Sequence, residues 1–313
     1  MMQSTMQAVR QTSYGHRDVL EYGTAPVPSI AADDVLLKVH AAAVNPVDWK
    51  IREGYLQAMI PFDMPLTLGW DVAGEVVAVG ADVSGWQVGD AVYSRPDISR
   101  QGAYAEYVAV RASEIAKKPV SLNWQEAAAV PLAALTAWQA LFQFANLQAG
   151  EKVLIHAGAG GVGLFALQLA QWRGAEVWTT TSTKNIEFVK AHGANHVVDY
   201  TQANFADLRD FDVVFDTLGG EVLANSWQVL KAGGRLVSIC DTPDADIAAQ
   251  HQVVAHFCFV QPSAEQLDQL TDLLNTGVVK VVIDRVYPLA DAAQAHERSE
   301  SGRARGKIVL QVS

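Results

Sequence analysis

The sequence predicts an α/β protein with two domains: a mostly-β domain and a doubly wound domain built on a six-stranded parallel sheet. Three observations carry this. The chain has 313 residues, more than a single hydrophobic core usually organises. Its first third reads as short β-branched runs between turns, whereas from about residue 150 strand-like and helix-like segments alternate. The first strand of that alternating stretch ends in a glycine-rich turn, HAGAGGVG at 156–163. The boundaries that follow are 1–123, completed by 262–313, for the mostly-β domain and 124–261 for the doubly wound one.

In the first zone, VLLKVHAAAV (35–44) and GEVVAVG (74–80) are apolar, β-branched and bounded by Asp, Pro or Gly, as strands are. Between them, NPVDWKIREGYL (45–56) and MIPFDMPLTLGWD (59–71) read as irregular, aromatic-rich loops, so an antiparallel, barrel-like arrangement is expected. Asn123 with Glu126 three residues on marks a helix start, and the helical pattern runs to about Ala145 with a break at Pro131. Strands are then expected at 152–156, 176–180, 196–198, 212–215, 234–239 and about 253–260. Helices fit at 161–173, 184–192 and 221–231, with Gly193 and Gly233 as stops for the last two. Continuous apolar strands joined by helices predict a parallel sheet covered on both faces. The last zone holds one amphipathic helix, SAEQLDQLTDLLNTG (263–277). Its two strand-like runs, VKVVIDRVY (279–287) and GKIVLQV (306–312), are candidates to complete the first domain's sheet.

Half the residues are hydrophobic and 18% are charged, the balance of a globular protein with a large interior. A formal net charge of −11, with no run of lysines or arginines, argues against nucleic acid and anionic lipid as partners. Cys240 and Cys258 are too few for a disulfide framework or a four-cysteine zinc site, and their apolar surroundings predict buried structural thiols. The N-terminus lacks the basic-then-apolar pattern of a signal peptide, and the most apolar long window, 153–170, is interrupted by glycines and a histidine. The expectation is a soluble, cytoplasmic protein with no membrane partner.

The strongest chemical signal is G-x-G-x-x-G, present as Gly158, Gly160 and Gly163 with Ala159, Gly161 and Val162 between them. A dinucleotide site needs a tight turn after a strand, no side chain where backbone meets phosphate, and close contact between helix and strand. The following helix then points its free N–H groups and dipole at the anion. At the end of the second strand an NAD site usually carries Asp or Glu for the ribose hydroxyls. This sequence has TTTSTK (179–184) instead, and Thr180, Ser182 and Lys184 suit a 2′-phosphate, which favours NADP(H). The competing reading of those residues is a solvated loop before a helix.

The loop NPVDWK, the run LGWDVAGEVVAVG, the segment PLAALTAWQAL, the strand AGEKVLI and the HAGAGGVG turn occur in order along nearly the whole chain. Together they resemble the medium-chain dehydrogenase/reductase superfamily, and within it the zinc-independent quinone and alkenal/enone reductases of the zeta-crystallin type. The resemblance implies a GroES-like catalytic domain, a Rossmann domain inserted before the chain's end, and an active site in the cleft between them. It also implies a homodimer through the Rossmann edge strand near 253–260. Zinc-dependent relatives carry ligands where this chain has Asn45, Trp70 and Leu132, a set unable to make a three-ligand catalytic zinc site, so no metal is expected.

Without a metal, the resemblance makes Tyr55 the candidate proton or hydrogen-bond donor to the substrate; a loop tyrosine that only packs or binds is the alternative. A phenol stays protonated at neutral pH. Asn45 is a candidate to orient substrate or nicotinamide ribose. Trp49 and Trp70 would make an apolar, aromatic pocket or belong to the core, and Asp48 is read as holding its own loop together. By the same resemblance Thr136, Tyr200, Gly219, Phe259 and Val260 line the cofactor, with core roles as the competing reading. His156, ending the first Rossmann strand, is expected to make a hydrogen bond within the fold. The implied reaction is hydride transfer from NADPH to a quinone or an α,β-unsaturated carbonyl. The alternatives are an enoyl-thioester or alcohol-type reductase on the same scaffold, and a non-catalytic NADPH-binding sensor or structural protein.

Overall fold

The computed structural model describes residues 4–313. The chain divides into a first unit of Met1–Leu132, Gln261–Gly277 and Val281–Ser313, and a second of Ala133–Val260 with Val278–Lys280. The first unit begins with β1 (Thr5–Gln11), β2 (Glu21–Pro26), β3 (Asp34–Val44), α1 (Pro46–Arg52), β4 (Leu66–Thr67) and β5 (Val72–Val79). It continues with β6 (Ala91–Ser94), β7 (Tyr107–Arg111), β8 (Ile115–Lys117) and α2 (Trp124–Ala128). Asn123 caps α2 by accepting from Glu126 N at 2.9 Å, and the carboxylate of Glu126 accepts from Asn123 N at 2.9 Å. After the expected break, α3 (Pro131–Trp138) runs on into a π-helical stretch, Gln139–Phe144.

The second unit carries β9 (Lys152–Ile155), α4 (Gly161–Trp172), β10 (Glu176–Thr181), α5 (Ile186–Lys190), β11 (His196–Asp199) and β12 (Phe211–Asp216). Then come α6 (Gly220–Ser226), β13 (Leu230–Ser238), α7 (Ala245–Gln250) and β14 (Val254–Phe257). All six strands are parallel, in the order β11-β10-β9-β12-β13-β14. This is the doubly wound Rossmann arrangement, whose ligands bind beyond the carboxyl ends of the strands. The central strands are wholly buried at Val153, Leu154, Val213 and Val214, which is why they read as continuous apolar runs.

The chain returns to the first unit through α8 (Ala264–Asn275), β15 (Ile283–Pro288), α9 (Ala292–Glu300) and β16 (Lys307–Gln311). Its main sheet, the GroES-like one, has the order β15-β16-β3-β5-β6-β8, with β7 also on β3. Every pair is antiparallel except β15 with β16. A small sheet, β2-β1-β4, lies apart from it. Among the described residues no helix is long and apolar enough to cross a membrane.

Several local expectations are corrected. The segment 45–56 is not all loop, because 46–52 form α1, with Pro46 in its first turn and Asp48 Oδ2 accepting from Asn45 N at 2.9 Å. The charged Lys50 and Arg52 hide its helical period. The helix expected to reach 231 ends as a helical turn at Val229, and Gly233 lies inside β13. Leu230 pairs with Phe211 and Arg235 with Val213, so 231–234 bulge out of the ladder, and Gly233 takes the positive φ (77°) that the bulge needs. Cys258 is buried but Cys240 only half so. Helices α7 and α9 were not anticipated; α9 (AAQAHERSE) has too few apolar residues to show a period.

Candidate active site

In the second unit, β9 runs into His156, and Ala157 turns the chain at a φ of +53°. A Cβ on Gly158 would sit 2.2 Å from Thr179 Oγ1. One on Gly163 would meet Ala157 O at 2.4 Å and Gly158 Cα at 2.8 Å. Both glycines are therefore demanded by the turn itself. Gly160 differs: its Cβ would meet only Ala157 O, at 3.3 Å, and otherwise open space. That open face is where a phosphate can approach the backbone. The helix begins its own bonding with Leu164 N to Gly160 O at 3.0 Å, so the N–H groups of its first turn have no acceptor within α4. The residues present therefore fit a dinucleotide.

The turn is braced from beneath. Thr180 Oγ1 accepts from Ala157 N at 3.1 Å and lies 3.2 Å from His156 Nδ1, while His156 Nε2 lies 3.0 Å from Ser226 Oγ. Burial pushes the His156 imidazole down to about 3, so it is neutral and serves as a hydrogen-bonding strut. Thr180 is thus engaged beneath the turn, as sequence reasoning expected of His156 but not of Thr180.

Around the strand ends, Ser182 precedes a helical turn at Thr183–Asn185, and the exposed Lys184 has no partner among the described residues. Asp199, ending β11, accepts from Thr183 Oγ1 at 2.5 Å and Thr201 Oγ1 at 2.7 Å; these bonds hold its carboxyl below the usual range. Sequence reasoning missed this acid because it stands on the neighbouring strand, opposite Thr181. Tyr200 is 63% exposed. After β12, the buried Asp216 accepts from Leu218 N, Gly219 N and Ser238 Oγ. Gly219 has a φ of +73°, and its Cβ would collide with Asp241 Oδ2 at 2.3 Å. Thr136 is buried in α3, and Val260 follows the half-buried Phe259 just beyond β14.

In the first unit a buried polar cluster surrounds the start of α1. Asn45 Nδ2 donates to Asp71 Oδ2 at 2.8 Å, and Asp71 Oδ1 accepts from Leu132 N at 2.6 Å. Lys307, first residue of β16, reaches Asp71 Oδ2 at 3.1 Å and donates to Asn45 Oδ1. Burial pushes the Asp71 carboxyl up, and Lys307 opposes this most strongly. Asn45 is thus locked by two charged neighbours. Trp70 is wholly buried with its indole N–H on Arg100 O at 3.2 Å. Trp49 is half-buried, its ring edge-on to Tyr55 at 6.2 Å between centroids. Tyr55 is 68% exposed.

A second chain of contacts runs through four buried side chains. Tyr104 O–H donates to Asp48 Oδ2 at 2.7 Å, and His296 Nε2 lies 3.3 Å from the same hydroxyl. Arg52 Nη1 lies 3.1 Å from His296 Nδ1 and donates to Glu300 Oε1 at 2.8 Å. Since Tyr104 spends its proton on Asp48, the consistent tautomer carries hydrogen on Nε2 and accepts from Arg52 on Nδ1. Burial and the Arg52 charge push His296 down to about 3. This chain pins α1 to α9.

Asp48 itself is pushed up to about 7, chiefly by burial, against hydrogen bonds from Asn45 N and Tyr104. The folded chain therefore holds a proton that the unfolded chain releases from about pH 4 upward. The stability this supplies is complete at low pH and is lost as pH rises through about 7. Asp48→Asn keeps an oxygen for both donors but removes the titration. Its stability is expected to lack that decline, a slope of up to about 1.4 kcal/mol per pH unit, in denaturant unfolding at pH 4.5, 6 and 7.5. Equal slopes in the two proteins would mean that Asp48 is ionised throughout.

Two family models match the chain: an alcohol dehydrogenase GroES-like domain over residues 31–120 and a zinc-binding dehydrogenase over 192–310. A 2-methylene-furan-3-one reductase of Solanum lycopersicum is 40% identical across 98% of this chain and 79% of its own. An NADPH-dependent alkenal/one oxidoreductase of Arabidopsis thaliana is 37% identical across 97% and 79%. The solved quinone oxidoreductase of Coxiella burnetii superposes with a TM-score of 0.91 at 36% identity, over 99% of this chain and 100% of that one. The chain belongs to the medium-chain dehydrogenase/reductase superfamily. As a medium-chain reductase it is an oxidoreductase that uses a nicotinamide dinucleotide. The zinc that one model's description names does not fit the residues at this superfamily's metal position. The Asn45 oxygen already accepts from an ammonium, the Trp70 nitrogen is a donor, and the Leu132 side chain has no ligating atom. A dication beside buried Lys307 would also be repelled.

Proposed function

We propose that this medium-chain reductase uses NADPH to reduce a quinone or an α,β-unsaturated carbonyl without a metal. The observation that carries the reading is the glycine cradle, whose open face at Gly160 adjoins contacts too close for any side chain at Gly158 and Gly163. The acceptor class is supported by the relatives, named as reductases of quinones and of enone-type carbonyls. The bound cofactor supplies the hydride. The chain's own part is positioning and charge: Ser182 and Lys184 take the 2′-phosphate, with Thr136, Thr180, Tyr200, Gly219, Phe259 and Val260 along the rest of the cofactor. Asn45, fixed by Asp71 and Lys307, orients the acceptor, Trp49 shapes its apolar side while the wholly buried Trp70 takes the core role, and Tyr55 donates to its oxygen. The protein works as a cytoplasmic homodimer paired through β14, an edge strand of its sheet.

The test is NADPH oxidation across quinones, 2-alkenals, enones and enoyl thioesters, repeated with NADH. Turnover of quinones or enones with NADPH preferred is expected; a strong NADH preference would overturn the roles of Ser182 and Lys184. Tight NADPH binding with no turnover would replace the enzyme reading by a sensor. Tyr55→Phe is expected to slow the best acceptor about tenfold in kcat, less than a buried general acid provides because water reaches so exposed a residue. An unchanged rate would remove the donor role.

A further inference from the structure

Arg95 is a buried cation in the first unit whose side chain is unsatisfied. It follows β6, and the register that pairs Val72 with Ser94 sets it opposite Asp71. It is 2% exposed. Its Nε is sealed from solvent with no partner, and neither Nη finds an acceptor among the described residues, although neither is sealed. Four acids lie around it, Asp71, Asp97, Glu114 and Asp48. Each is committed elsewhere. Asp71 is held by Lys307, Asn45 and the Leu132 N–H; Asp48 takes Tyr104 and the Asn45 N–H on Oδ2, and its buried Oδ1 meets no donor, Arg95 included. Asp97 and Glu114 both take Arg111, at 2.7 and 2.9 Å. These acids offset the Arg95 charge at a distance and spend none of its five donors. A buried guanidinium left this way is costly unless something meets it.

We propose that Arg95 is an anion-binding residue of the acceptor site and takes a carboxylate carried by the unsaturated carbonyl substrate. This rests on the reductase reading above. A planar fork with both Nη atoms unspent matches the two oxygens of a carboxylate, and a neutral carbonyl would leave the buried charge unmatched. Its closeness to Asp71 joins it to the Asn45 and Lys307 cluster.

The experiment compares wild type with Arg95→Met on a matched pair, 3-penten-2-one and trans-4-oxo-2-pentenoate, which differ by a methyl against a carboxylate. The wild type is expected to prefer the acid in kcat/KM, and the variant to lose at least tenfold of that preference, through KM. Calorimetry with 4-oxopentanoate, which cannot be reduced at a double bond, gives a readout free of turnover: binding is expected to weaken at least tenfold in the variant. If the enones are not turned over yet 4-oxopentanoate binds through Arg95, the reductase reading fails and the site stands. The Tm of Arg95→Met is expected to hold or rise, since an apolar side chain replaces an unmet cation. A lower Tm with an unchanged preference would make Arg95 structural and overturn the proposal. No preference for the acid in wild type would mean that water alone meets the guanidinium. Weaker NADPH binding by the variant would assign Arg95 to a cofactor phosphate and also overturn it.

Discussion

Gly163→Val is expected to raise the Kd for NADPH about a hundredfold or more, ~2.7 kcal/mol of binding free energy. The added Cβ would lie 2.4 Å from Ala157 O and 2.8 Å from Gly158 Cα, and both are backbone atoms that cannot swing aside. Ala157 already holds a positive φ, so the turn has little slack with which to absorb the shift. The helix start would move away from the strand, taking its first-turn N–H groups out of line with the phosphates. Gly160→Ala is the informative contrast. Its Cβ meets a single atom at 3.3 Å, so the unliganded Tm should stay near that of wild type, while the methyl intrudes where a phosphate would rest. Calorimetric titration beside thermal unfolding separates the two effects. If Gly163→Val bound NADPH as tightly as wild type, the turn would not be the pyrophosphate seat.

Lys307→Met is expected to destabilise the protein by roughly 3–5 kcal/mol, the usual cost of removing one partner of a buried ion pair. The change leaves Asp71 with the Asn45 amide and the Leu132 N–H as its remaining partners, inside a site from which water is excluded. Adding Asp71→Asn to the variant removes the stranded charge and should recover more than half of the loss, a coupling that a double-mutant cycle in denaturant would measure. A loss below about 1 kcal/mol for Lys307→Met alone would mean that Asp71 is neutral in the folded protein.

The dinucleotide turn was legible because its constraint is local. Four glycines within six residues, after a strand and before a helix, leave little else to explain them. The six strands of the second unit were legible for a related reason: burial on both faces writes an uninterrupted apolar run. The contacts of the buried polar clusters in the first unit were not legible. Nothing in the local pattern at GKIVLQV says that Lys307 will meet Asp71, because the pairing crosses the sheet. Nor does the sequence near Asp48 point to Tyr104, His296 or Arg52, which meet across three separate segments. Helix α1 was missed although Asn45, Pro46 and Asp48 announced its start, because its charged residues obscured the period.

The position of β16 has a consequence for how the polypeptide matures. Asp71 leaves the ribosome 236 residues before the ammonium that neutralises it. The parallel sheet β9–β14 draws on one uninterrupted stretch of chain and can be completed in the meantime. The inner ladder of β3, which ends by pairing Val44 with Ile308, waits until β16 has emerged. A nascent chain therefore passes through a stage with one finished half and one unzipped edge, charged at its centre. Chaperone capture and proteolysis would act on that stage.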